Sequence, residues 1–272
     1  MALKQGNVIY QPGGPAAEYA KWACNLYNGC AHSCSYCYCK RGVMSHAMGG
    51  ILPTLKKTAG TTEDDAFKMF SKEMTRWKSL ILSDGGIFFS FSTDPMLGCE
   101  IKLTMRCIEF ALDNSVPVII LTKATWWCYN NSVMDIFRAH KDLFTIGFTL
   151  TGCDKEEGVA PSNERRANAL VMLSGMGFKT FASVEPVIRF DAAYDVIRQV
   201  APFCPEFRIG LLSPYKKDRY DWHECDTFID KVTSLSLQHG FTVRWKKSIN
   251  RFYQEQKPKS TEGGVSTPSP SK

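Results

Sequence analysis

The chain of 272 residues lacks any uninterrupted apolar run near the roughly 20 residues that span a bilayer, so it offers no candidate membrane helix. It also lacks a Gly-x-Gly-x-x-Gly after an expected strand, which removes the usual dinucleotide fingerprint. No secretory apolar region follows Met1 to Gly6, and eleven cysteines, an odd count, cannot all pair into a disulfide framework. These absences lead us to expect a reducing, cytoplasmic setting. Charge of one sign is scarce too. Thirty-three basic against 27 acidic residues leave a net charge of +6, which permits a nucleic-acid partner without demanding one.

What is present is ordinary in bulk and specific in pattern. Hydrophobic content of 44% and charged content of 22% suit a soluble globule with one substantial core. Short apolar runs alternate with amphipathic stretches between about residues 60 and 250. Helices are expected over Glu63 to Leu82 (N-cap Thr62), Leu103 to Asn114, Ser132 to Lys141, Ser162 to Met176, Asp191 to Val200 and Asp226 to His239. Between them lie the runs Ile87–Phe91, Pro117–Leu121, Phe144–Leu150, Thr180–Val184, Phe207–Leu212 and Thr242–Trp245, which read as buried strands. With an opening strand within Tyr19 to Leu26, this gives six βα units and a trailing strand. The expected class is α/β, a parallel sheet covered by helices. An open doubly wound sheet gives the same alternation. One domain is expected over residues 1–254, followed by a Ser/Pro/Gly-rich tail over 255–272 expected to be disordered.

Cys30, Cys34 and Cys37 form a Cys-x3-Cys-x2-Cys run beside Gly29, with Tyr36 just before the last cysteine. Thiolates so close can converge on one metal centre, and three of them would leave one iron of a [4Fe–4S] cluster open. A structural zinc site is the other reading, with Cys39, His32, Cys24 or His46 as fourth ligand. The spacing resembles the signature of the radical S-adenosylmethionine (SAM) enzymes. That resemblance implies a partial (βα)6 barrel, a [4Fe–4S] cluster whose open iron chelates SAM, and an external flavodoxin- or ferredoxin-like electron donor. It implies one-electron cleavage of SAM to a 5′-deoxyadenosyl radical that takes hydrogen from a substrate.

Four segments place hydroxyl or charged groups just after apolar runs: Ser90–Gly98, Leu121–Ala124, Phe148–Gly152 and Ala182–Pro186. Hydroxyls suit a ribose or amino group, and Lys123 suits a carboxylate. Together with Asn25-x-Tyr-x-Gly-Cys-x-His-x-Cys-x-Tyr-Cys-Tyr38, the Thr93-Asp94-Pro95 element and Thr122-Lys123 resemble the spore photoproduct lyase and DNA-repair-photolyase-like branch over roughly residues 20–190. By that resemblance Thr93 meets the SAM amino group, Lys123 its carboxylate, and Thr149 its methionine or ribose region. Asp94 and Tyr36 belong to the same cofactor site. Arg165 resembles the Arg of the branch's Arg-Leu-x-x-Leu stretch, and Glu185 can accept a ribose hydroxyl or position substrate.

Two departures stand out. Phe91 occupies the place of the branch's hydrogen-returning cysteine, with Cys99 a few residues on, and the chain is short for DNA-gripping additions. Cys153, after the fourth strand, is a second candidate redox thiol. Trp126-Trp127-Cys128-Tyr129 either stacks a nucleobase or packs the next helix. Lys216–Arg219 and Arg244–Lys247 either touch phosphate or are solvated. Nucleic acid is the substrate class the branch implies, while a peptide or a small metabolite stays open.

Overall fold

The computed structural model describes residues 3–41, 45–98, 101–212 and 217–257. Cys99, Lys216 and positions 258–272 of the expected tail lie outside them. The first element is strand β1 (Ile9–Tyr10), then β2 (Ala23–Cys24), and the two-residue strands β3 (Tyr27–Asn28) and β4 (Thr54–Leu55) pair antiparallel, with the cysteine loop and the one-turn helix α1 (Ser45–Met48) between them. From there strand and helix alternate: α2 (Glu63–Ser83), β5 (Ile87–Phe89), α3 (Ile101–Asp113), β6 (Val118–Thr122), α4 (Asn131–Ala139), β7 (Phe144–Thr149), α5 (Asn163–Gly175), β8 (Lys179–Val187), α6 (Phe190–Val200), β9 (Glu206–Leu211), α7 (Trp222–His239), β10 (Thr242–Trp245) and α8 (Lys247–Gln256).

Local chemistry accounts for the helices. Thr62 and Asp65 form a reciprocal capping box at the start of α2, ahead of a buried stripe of Ala66, Phe70, Met74, Trp77 and Ile81 at helical spacing. Ser162 caps α5 by accepting the Arg165 N–H at 3.3 Å. The strands follow from burial on both faces: β5 and β7 to β9 are nearly continuous runs of buried residues.

The result is an α/β fold around one mixed sheet of eight strands, in the order β1-β2-β5-β6-β7-β8-β9-β10. All pairs are parallel except β1 with β2. The six βα units and trailing strand expected from the sequence are present. Strand β8 runs on through Glu185 and Pro186 with a register shift between Val184 and Val187. The opening strand shortens to Ala23–Cys24, because Tyr19 turns away to the far strands. Helix α8 extends past residue 254, taking Glu255 and Gln256 from the expected tail.

Tyr19 shows how the sheet curls. Its hydroxyl reaches Glu185 of β8, its carbonyl accepts from Arg208 of β9 at 3.3 Å, and neighbouring Pro15 accepts from Lys246 after β10 at 3.1 Å. The segment ahead of β2 thus laces the two ends of the sheet together through side chains. No backbone ladder joins those ends among the described residues. The C-terminal ends of the parallel strands surround a shared interior.

Candidate active site

The cysteine loop leaves β2 through Asn25, whose side chain accepts from Phe91 N–H at 2.8 Å and donates to Tyr10 at 2.9 Å. Gly29 then takes φ +90°, and a side chain there would strike the Leu52 carbonyl. Ser33 adopts a left-handed φ of +57° between the first two cysteines. The loop is pinned on both flanks. Cys30 N–H donates to Gly50 O at 3.0 Å, and Tyr38 hydroxyl donates to Phe91 O. On the other side Ser35 N–H meets Glu156 O at 2.8 Å and Val159 N–H meets His32 O at 3.0 Å.

Behind that second flank sits a buried ion pair that sequence reasoning missed. Arg166 is fully buried on α5 and pairs with Glu157, itself 1% exposed. Arg166 also donates to Thr149 O at 2.8 Å. Glu157 accepts from Tyr36 hydroxyl at 2.5 Å and from Asn163 at 3.0 Å. The pair therefore fixes the residue between Cys34 and Cys37.

All three cysteines line one cavity of about 540 Å³, within the usual size of a cofactor or substrate pocket. Burial pushes the Cys30 thiol up to about 11 and raises Cys34. A hydrogen bond from Cys39 is the first cause that brings Cys37 down to about 6. Lys123 lowers all three, so its charge faces the thiols.

Of the other expected residues, Tyr36, Thr93, Asp94, Lys123, Thr149 and Glu185 line the same cavity. They divide by what is left unsatisfied. Asp94 is fully engaged: it accepts from Thr122 hydroxyl at 2.6 Å, Lys123 N–H at 2.7 Å and Met96 N–H at 2.9 Å, and pairs with His32 at 2.9 Å. Burial raises its carboxyl, but His32 and these bonds overcome that and hold it at about 2. Asp94 thus organises the loop ends. Thr93 is the opposite case, since its buried hydroxyl has no hydrogen-bond partner. The Lys123 ammonium stands 5.4 Å from the Tyr36 ring and makes no hydrogen bond or ion pair among the described residues.

The opposite wall carries Glu185, whose Oε2 accepts from Tyr19 hydroxyl at 2.6 Å and from Lys246 at 2.8 Å. Tyr19 also shares a 2.6 Å contact with Ser183. Lys246 had been grouped with a basic surface stretch. It is instead buried against this wall, 4% exposed, while Arg244 pairs with Glu206 outside.

Several expectations are not brought together. Arg165 is exposed and off the cavity, because the α5 stripe turns its neighbour Arg166 inward. Cys153 is buried after β7 but does not line the cavity, and burial raises its thiol. Cys24 lies in the core and His46 is exposed, so neither joins the other cysteines. Trp127 packs between Phe137 and Phe148, while Trp126 is 40% exposed. No group of three His, Cys, Asp or Glu side chains among the described residues meets at one point as a single zinc ion requires.

No family model matches the chain. It is 26% identical over 195 residues to the uncharacterized protein MJ0683 of Methanocaldococcus jannaschii, a match covering 68% of this chain and 67% of that protein. Its fold is that of spore photoproduct lyase. A variant of that enzyme with bound AdoMet and dinucleoside spore photoproduct superposes at TM-score 0.61, with 16% identity over 86% of this chain and 78% of the other. SuiB of Streptococcus suis bound to S-adenosylmethionine superposes at TM-score 0.51, with 12% identity, covering 70% of this chain and 46% of SuiB. No helix among the described residues is long and apolar enough to cross a membrane.

Proposed function

We propose that the chain is a radical SAM enzyme with a partial (βα)6 barrel, acting on a nucleic-acid or nucleoside substrate. The observation that carries this reading is the company the cysteines keep: three thiols share one cavity with an orphaned Thr93 hydroxyl and an unpaired Lys123. A cluster takes one thiolate on each of three irons, so its ligands need not meet at a point. The donor set fits that group. When bound, the cluster and SAM would supply one-electron cleavage of SAM and a 5′-deoxyadenosyl radical able to take hydrogen from a substrate, the electron coming from a flavodoxin- or ferredoxin-like donor.

The chain's own residues have definite tasks in this reading. Cys30, Cys34 and Cys37 hold the cluster. Thr93 hydroxyl accepts from the SAM amino group, Lys123 pairs with its carboxylate, and Thr149 lies beside the methionine or ribose. Asp94 spends every acceptor on the loop ends, so it holds Thr93 and Lys123 in place rather than touching ligand. Burial of Cys34 and a lining that includes Tyr19, Tyr36, Phe88 and Phe91 limit water at the reacting centre. The nucleic-acid assignment draws on the fold shared with a lyase whose solved form holds a dinucleoside photoproduct.

The test is 5′-deoxyadenosine formation from SAM by anaerobically reconstituted protein with dithionite, against Cys34→Ala. Product in the wild type and none in the variant is expected. Zinc rather than iron in protein purified without oxygen would overturn the reading.

A further inference from the structure

The wall opposite the cysteines is built with one hydrogen-bonding position left over. Glu185 Oε2 is saturated by Tyr19 and Lys246, but Oε1 has no hydrogen-bond partner among the described residues. Lys246 is not spare: it donates to Glu185 and to Pro15 O at 3.1 Å and lies 3.8 Å over the Tyr19 ring. The Tyr19 phenol gives its proton to the carboxylate. Glu185 lines the cavity, so what it can still offer a ligand there is an acceptor, and that ligand must bring a donor. An anionic group would meet an oxygen with no donor beside it.

The adjoining surface is flat. Phe91 lines the cavity half-buried, and fully buried Phe88 covers one of its faces at 4.3 Å and 13°. Its remaining ring surface suits a planar π system. Tyr19 ties the two features together, with its ring 6.2 Å from Phe91 and its hydroxyl 2.6 Å from Glu185. Gly210 on β9 keeps room for Oε1. A Cβ there would stand 2.8 Å from that oxygen, and no left-handed φ otherwise calls for glycine.

We propose that this wall is a substrate nucleobase subsite, where Phe91 stacks on the base and Glu185 Oε1 accepts a ring N–H from its pairing edge. Thymine, uracil and guanine offer such an N–H, and reading an unstacked base by stacking plus edge hydrogen bonds is a general mode. The inference deepens the radical SAM reading of the same cavity and rests on it.

The test measures binding of thymidine and guanosine dinucleotides, each beside its ring-nitrogen-methylated counterpart, to full-length cluster-loaded protein. For at least one pair, methylation should weaken binding about tenfold or more, the loss expected for a hydrogen bond to a charged group. In Glu185→Gln that difference should shrink to about twofold, on the same basis. Gly210→Ala, whose Cβ would press on Oε1 from 2.8 Å, should weaken the unmethylated ligand selectively. Equal binding of both members of each pair, no binding by either pair, or undiminished discrimination in both variants would overturn the proposal. So would displacement of the dinucleotide by S-adenosylhomocysteine, which would assign the wall to the cofactor's adenine. Measuring 5′-deoxyadenosine on the same preparations separates the two readings. Cleavage without base discrimination overturns the subsite alone, and base discrimination without cleavage overturns the radical chemistry.

Discussion

Removing the Glu157 carboxylate should cost far more than its place in a loop suggests. Glu157→Ala leaves the fully buried Arg166 guanidinium with only the more distant, largely exposed Asp154 at 3.7 Å as counter-charge, besides the Thr149 and Ser162 carbonyls. Breaking a buried pair on one side costs about 3–5 kcal/mol. Against a total stability of about 5–15 kcal/mol that is a large share. For a domain of this size it lowers Tm by roughly 6–20 °C. The variant also releases Tyr36 and the backbone carrying Cys34, so iron retention after reconstitution should fall with stability. Arg166→Met should be similarly harmful. The double variant should recover much of the loss, because no buried charge is then left alone. Urea unfolding of the four proteins measures this directly. A loss below about 1 kcal/mol in Glu157→Ala, the range of a surface pair, would refute the claim that this contact holds the cysteine loop.

Thr93→Val should move stability and binding in opposite directions. It removes a buried hydroxyl without a partner, so the ligand-free protein should be unchanged or up to about 1 kcal/mol more stable, while SAM binding weakens roughly tenfold by calorimetry. Glu73 accepts the backbone N–H groups of Asn7, Val8 and Ile9 at 2.6, 3.1 and 2.8 Å. Glu73→Ala should therefore cost about 3 kcal/mol and strip amide-exchange protection from Val8 and Ile9. Asp94 is held at about 2, below its ordinary 3.8, so its contribution of about 2 kcal/mol is complete above pH 4 and lost as pH falls toward 2. Asp94→Asn should flatten the stability profile in that window.

The βα repeat was legible because strands buried on both faces leave long apolar runs, and Thr62 and Ser162 announce their helices. The two-residue strands β1, β3 and β4 are too short to show any period. Helix α8 is polar apart from a few anchors such as buried Ile249 and Phe252. At the site, the groups standing at strand ends could be found because that edge is where parallel strands place chemistry. Their partners could not, since Tyr19 and Lys246 reach Glu185 from opposite ends of the chain, and the basic stretch holding Lys246 points to phosphate or solvent rather than to a carboxylate. Arg166 is different, because a signal existed. Resemblance picks Arg165, yet Arg166, Leu170 and Leu173 share the spacing of the buried stripe of α5. A charge on that stripe must find an opposite charge or unfold the helix from the sheet. The acidic residues just ahead, Asp154, Glu156 and Glu157, bracket the choice, and burial singles out Glu157. Reading a charged residue on an apolar stripe as a demand for a partner would have flagged Arg166 from sequence alone and narrowed its partner to these three acids.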